Sequence, residues 1–439
     1  MSRPFCRCCR KGRRCSPLLL PQDRHRRAVW QGRVLVDCSV CVAGYNGTWY
    51  RFHTRETNPT LFTANFPYEG QTPHILPLHT RTGARAEFSG RGVVIAFLDS
   101  GFYPHPDLRG RILAHVDAAT QRVIGGDKFF HDHDLSWHGQ MTSVIACGDG
   151  TTSDGLYRGL AHGARVVLIK VSDFHNNIKE RDILRGLLWL IENHRAYNIR
   201  LCNISVGGDF PSSDPDHPLY AAVRALYEEN VLTLCAAGNG GTEQLVPPAS
   251  APEVLTVGGV DDHNSTDVTC WTPYNHNYGT AYDGSPKPEI LATARWIASP
   301  ILPYSIMARE ARWLAPLLHA QTPAEVAAIL TEGCADLSIE GVLPCSAEGE
   351  ADRAVIQARL NKYKLIDRHH QHVDGTSVSV AVATSVAAQM LEANPRLRAG
   401  AIRAILRATA VAFPDVSDEV QGGGILDAAA AVEAALEHP

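Results

Sequence analysis

Long apolar runs are missing from this sequence: nowhere do 18 apolar residues follow one another, so no helix is expected to span a membrane. A signal-peptide pattern is missing too, because the only apolar cluster near the start, Leu18, Leu19 and Leu20, is boxed between Pro17 and Pro21. A soluble, cytoplasmic chain with no membrane partner is the expectation. Strong charge bias is also absent: a net charge of -5 over 439 residues gives no reason to expect an obligatory nucleic-acid partner. The balance is nonetheless uneven, since residues 1–27 hold nine Arg or Lys and one Asp, which leaves weak anion contact open at that end. There is no internal repeat and no long low-complexity tract.

What the chain does have is an ordinary globular composition, 45% apolar and 20% charged, enough for one core of about 250–300 residues plus appendages. Of 12 cysteines, six fall within the first 41 residues and the others are scattered singly through apolar stretches. That distribution predicts buried thiols in a reducing compartment. From Val93 onward, short runs rich in Val, Ile and Leu alternate with helical patterns. Strands are predicted at 93–98, 165–171, 201–206, 231–236 and 254–260, with helices near 138–147, 179–196, 216–230, 377–392 and 399–409. Continuous apolar strands imply burial on both faces, so the predicted class is α/β: a doubly wound, mostly parallel sheet with helices on both sides.

Two regions fall outside this pattern. Residues 1–90, with little periodicity and many Pro, Gly, Arg and Cys, read as an N-terminal extension, partly disordered or propeptide-like. The main domain is then 91–439, with a helical insertion at about 301–370. Within that insertion Thr322-Pro323-Ala324-Glu325 has the form of a capping box, with Pro at the first helical position.

Four residues invite a chemical reading, each with a plainer alternative. Asp99 ends a predicted strand, where catalytic groups of α/β sheets collect, although an Asp there also caps turns. His138 stands at the first turn of a predicted helix, where a general base can be aimed outward; nearby His131 and His133 leave a metal cluster as the rival. Ser377 precedes a helix of small residues, so free amides and the positive helix end face its hydroxyl; a simple N-cap serine is the alternative. Asn239 sits where an apolar strand breaks into glycines, in Ala237-Gly238-Asn239-Gly240, and its carboxamide suits an oxyanion donor as well as a turn.

Taken in order, Asp99, His138, Asn239 and Ser377 resemble the subtilisin-like serine proteases (subtilases, peptidase family S8), whose triad runs Asp, His, Ser. Supporting stretches are Gly159-Leu160-Ala161-His162-Gly163-Ala164, Asn203-Ile204-Ser205-Val206-Gly207-Gly208, Pro248-Ala249-Ser250-Ala251-Pro252 and Pro286-Lys287-Pro288-Glu289-Ile290. The resemblance spans about 90–300 and 370–430. It implies a serine endopeptidase with Ser377 as nucleophile, His138 as base, Asp99 orienting it and Asn239 holding the oxyanion. A protein or peptide substrate would lie along Ser205, Val206, Gly207 and Gly208, with Ala237 and Gly238 lining the same groove. Processing or degradation of selected proteins inside a cell is the implied role, and a catalytically silent, peptide-binding or regulatory fold is the alternative.

The chain departs from the family pattern at Gln140, where Thr is usual; at Ala381, where Pro is usual; in its insertion; and in its N-terminal region. No cofactor is required for the chemistry, and no catalytic metal is expected. The family's structural calcium would draw on Asp107, Asp117, Asp127, Asp132 and Asp134, but no spacing among them identifies a site. Zinc at Cys6, Cys8, Cys9, Cys15, Cys38 and Cys41 is disfavoured against plain thiols in a basic leader, Cys38 and Cys41 being the best local pair. Neither the cleavage specificity nor the oligomeric state is legible.

Overall fold

The computed structural model describes residues 40–43, 49–52, 61–70, 72–128, 135–337, 349–413 and 415–439. The chain divides into two units, Met1–Asn58 and Pro59–Pro439. In the first, β1 (Val40–Ala43) and β2 (Trp49–Phe52) pair antiparallel, with Val40 opposite Phe52.

The second unit is built on one large sheet. Its strands are β3 (Val94–Asp99), β4 (Ile112–Asp117), β5 (Arg122–Gly125), β6 (Arg165–Lys170), β7 (Ile199–Ile204), β8 (Leu232–Ala236), β9 (Leu255–Asp261) and β10 (Thr272–Pro273). They lie in the order β10-β9-β8-β7-β3-β6-β4-β5, parallel except for the edge strands β10 and β5. A further short ribbon pairs β11 (Gly279–Thr280) with β12 (Pro286–Lys287), and β13 (Ile290–Thr293) runs parallel to β9. The five predicted strands are present to within about two residues; β4 and β13 were not predicted.

Every residue of β3 is buried, as a strand covered on both faces requires. Because side chains alternate, Ile95 and Phe97 join one core with α2 (Ser136–Cys147) and residues further along the chain, while Val94, Ala96 and Leu98 join another with α3 (Glu180–Tyr197) and α4 (Pro218–Glu228). Asp99 continues the series of Ile95 and Phe97, and so emerges at the carboxyl end of a central strand on the α2 side.

The insertion has a narrow base. β14 (Ile297–Pro300) and β15 (His370–Val373) pair antiparallel, and Ile301 N–H donates to His369 O at 2.8 Å to close the loop between them. Inside it α5 (Ile306–Leu317), α6 (Pro323–Leu337) and α7 (Glu350–Tyr363) pack their own apolar core around Leu314, Leu330, Ile356 and Leu360. The capping box forms: Glu325 N–H donates to Thr322 Oγ1 at 3.2 Å, and Thr322 N–H to Glu325 Oε2 at 3.1 Å.

Beyond β15 the chain enters α8 (Thr376–Ala393), followed by α9 (Ala399–Ala408), a short α10 (Asp418–Gln421) and α11 (Ala428–Glu437). α8 is buried on nearly all sides, which explains its run of Val, Ala, Ser and Thr. Small side chains let sheet and helices approach it closely, and each fully buried Val contributes about 1.5–3 kcal/mol. The helix is continuous through Ala381, as the lack of proline there predicts.

Two features go beyond what the sequence pattern shows. The two units divide at Asn58/Pro59, so residues 61–90 of the expected extension belong to the larger unit. Residues 61–90 pack into the larger unit because Phe62, Phe66 and Ile75 are apolar anchors with core partners, and α1 (Leu78–Thr82) adds Arg81, ion-paired to Asp262 with both side chains buried. The cysteines are also less uniform than expected. Cys147, Cys202 and Cys235 are buried free thiols, but Cys270 is exposed and Cys334 is disulfide-bonded. Of the six cysteines of the zinc reading, Cys41 falls in β1 opposite Arg51, and the other five, like His131, Asp132, His133 and Asp134, lie outside the described residues.

Candidate active site

Asp99 and His138, 39 residues apart in sequence, meet at the carboxyl edge of the sheet. His138 Nδ1 lies 2.6 Å from Asp99 Oδ1, and the carboxylate is about 1% exposed while the imidazole is half-buried. Ser100 holds the same oxygen through its backbone N–H at 2.6 Å, and its hydroxyl oxygen lies 3.2 Å from it. On the other carboxylate oxygen, Thr142 Oγ1 sits at 3.0 Å, a contact that the sequence reading missed. Burial opposes a charge on His138, but the Asp99 carboxylate outweighs it through its charge and its hydrogen bond, so the imidazole titrates above its ordinary value. Nδ1–H towards the carboxylate leaves Nε2 as the free basic nitrogen.

α2 carries His138 because a glycine follows it. Gly139 packs so closely on the loop after Asp99 that a Cβ there would lie 2.1 Å from Gly101 O. Trp137, partly exposed, sets its ring edge-on to the His138 ring at 5.3 Å. Gln140 is fully buried and donates from Nε2 to Pro300 O at 3.4 Å, tying α2 to the base of the insertion.

Ser377 is the second residue of α8 and the one half-buried side chain in a turn otherwise closed to solvent. Gly375 caps the helix with φ of 136°, in the region open to glycine, and its N–H donates to Ala294 O at 2.8 Å. Among the described residues the Ser377 hydroxyl and the His138 imidazole are not hydrogen-bonded; such contacts are often long before substrate binds. Asn239 reaches the same turn. Its Oδ1 accepts from Thr376 N–H at 2.9 Å and from Thr376 Oγ1 at 3.1 Å, which fixes the carboxamide and leaves its NH2 uncommitted among the described residues. Gly238, at φ of 95°, donates to Thr376 Oγ1 at 3.0 Å.

Ser205, Val206, Gly207 and Gly208 follow directly on β7, anchored where Gly208 N–H meets Pro247 O at 2.7 Å. Gly207 is exposed, and a Cβ there would strike Val246 Cγ2 at 2.6 Å. Ala237 N–H is held by Val257 O at 3.1 Å. Of the carboxylates considered for calcium, three are described: Asp117 pairs with Lys170, Asp127 accepts from Gly110 N–H, and Asp107 accepts from Thr152 N–H. Among the described residues no group of three or more His, Cys, Asp or Glu could hold a metal ion. Nor is any described helix long and apolar enough to cross a membrane.

A family model described as the "Subtilase family" matches residues 90–427. Serine protease AprX of Bacillus subtilis (strain 168) is 26% identical over 349 residues, covering 77% of this chain and 66% of that protein. The major intracellular serine protease of the same strain is 32% identical over 187 residues, covering 39% of this chain and 52% of its own length. The chain thus spans about half to two-thirds of these relatives. Among solved structures, fervidolysin from Fervidobacterium pennivorans, a keratinolytic enzyme related to subtilisin, superposes with a TM-score of 0.54 at 19% identity, covering 80% of this chain and 43% of that one, a likeness of fold. With the family model spanning most of the chain, and the sheet and the order of Asp99, His138, Asn239 and Ser377 in keeping with it, this protein belongs to the subtilase family.

Proposed function

We propose that the chain is a serine endopeptidase with Asp99, His138 and Ser377 as its triad and Asn239 as an oxyanion donor. The observation that carries this reading is the 2.6 Å contact between Asp99 and His138, made on a helix that packs against α8, whose second residue is Ser377. Ser377 Oγ attacks the scissile carbonyl as His138 Nε2 takes its proton. The tetrahedral oxyanion is met by the Asn239 NH2 and the Ser377 backbone N–H, and the positive end of α8 faces the same charge. His138 then returns the proton to the leaving amine, and water activated by the same nitrogen releases the acyl group from Ser377. Asp99 keeps Nδ1 protonated throughout and stabilises the imidazolium. An extended peptide adds to the backbone edge at Ser205–Gly208, so peptide bonds are recognised before side chains. Proteins or peptides inside a cell are the substrate class, in line with a relative named as intracellular.

The test is labelling of the full chain by a fluorophosphonate probe beside Ser377→Ala and His138→Ala. Labelling of the wild type alone is expected. A folded wild type that does not label refutes the reading and leaves a silent, peptide-binding fold.

A further inference from the structure

The carboxylate of Asp99 is held asymmetrically. Two donors hold Oδ1, the Ser100 N–H and His138 Nδ1, with the Ser100 hydroxyl oxygen 3.2 Å away. Oδ2 has a single donor among the described residues, Thr142 Oγ1 at 3.0 Å. Thr142 is 0% exposed, so no water substitutes for it easily. It stands one helical turn after His138, on the same face of α2, because residues four apart share a face. Its hydroxyl also lies 3.1 Å from Gly139 O, but a hydroxyl has one proton, and a carboxylate is the stronger acceptor. The neighbouring Ser143 spends its hydroxyl on Gly139 O and Gln140 O, away from the carboxylate.

We propose that Thr142 is a positioning residue for the triad: its hydroxyl locks the second oxygen of Asp99, fixing the carboxylate plane so that Oδ1 faces His138 Nδ1. One helix therefore carries both the imidazole and the clamp on its partner. At the other end of the contact Ser100 Oγ lies 2.9 Å from Leu135 O, the residue before α2, so the loop after Asp99 is tied to the helix start as well. This rests on the proteolytic reading of the site.

A second consequence concerns pH. Without its donor, Oδ2 carries a less neutralised negative charge, which favours the imidazolium form of His138. Asp99 is the one ionic partner of His138 among the described residues, and Lys170 on the adjoining strand β6 is turned to Asp117. Since catalysis needs neutral His138, the acid limb of kcat/KM must then move to higher pH.

Steady-state hydrolysis of a peptide substrate by the full chain tests this with Thr142→Val, Thr142→Ser and Ser143→Ala. Thr142→Val removes the donor at nearly constant shape; kcat is expected to fall about tenfold or more, with KM little changed and the acid limb displaced upward. Thr142→Ser, which keeps the hydroxyl, is expected to restore both, and Ser143→Ala to leave the acid limb in place. If Thr142→Val does not fold, Thr142→Ala makes the same comparison. Wild-type kcat in the hydroxyl-free variant, or a loss with no movement of the acid limb, overturns the proposal. A wild type that neither labels nor hydrolyses instead fails the proteolytic reading, so the two failures are distinguishable.

Discussion

Gly139→Ala adds one methyl group where the site has no room for it. The new Cβ would lie 2.1 Å from Gly101 O and 2.8 Å from two ring carbons of Phe102. A carbon and a carbonyl oxygen tolerate about 3.3 Å, so α2 and the loop after Asp99 must part by about 1 Å. Neither side yields as a flexible tip would: one is backbone, the other a ring that is 2% exposed. The parting opens the contact that matters, because His138 precedes Gly139 and Asp99 precedes Gly101 by two residues. Stretched by about 1 Å from 2.6 Å, the Asp99–His138 bond is past useful hydrogen-bond length. Misplacement on that scale costs about 100-fold in rate, and overpacking costs about 1–3 kcal/mol of stability. The second-order rate of fluorophosphonate labelling and the urea midpoint of the same sample measure the two effects. A Gly139→Ala protein that labels at the wild-type rate would falsify the claim that this close approach sets the triad.

Asn239 has two separable duties. Asn239→Asp keeps an oxygen acceptor for Thr376 N–H but removes the NH2, so kcat is expected to fall about 100- to 1000-fold with the fold intact; an unchanged kcat would rule out the oxyanion role. Glu289 is a buried hub, bonded to Lys287 Nζ at 3.0 Å, to Thr256 N–H at 2.7 Å and to Arg403. Glu289→Ala strands Lys287, which is 0% exposed, and is expected to cost about 3–5 kcal/mol in urea unfolding; a loss under about 1 kcal/mol would contradict that account.

The central strands were legible because burial on both faces writes them as unbroken apolar runs. β4 escaped notice because His115 interrupts Ile-Leu-Ala-His-Val-Asp; in the structure that histidine is buried edge-on against Phe102. Motif order singled out Asp99, His138, Ser377 and Asn239, each at or just beyond the start or end of an element. Thr142 was invisible for the opposite reason: its hydroxyl matters through a carboxylate 43 residues earlier, and a small residue on a buried helix face looks like packing. The packing of segment 61–90 was hidden in the same way. Phe62, Phe66 and Ile75 show no period, since each fills a hole made by elements far along the chain.

That last arrangement has a temporal side. Thr63, beside Phe62, bonds Gln357, 294 residues later. At about 5–20 residues per second, a ribosome needs very roughly 15–60 s to supply that partner. For most of this interval Phe62 and Phe66 have been made while the helices that cover Phe62, α5 to α7, have not. The newborn chain therefore holds two aromatic side chains in waiting until the insertion has been made.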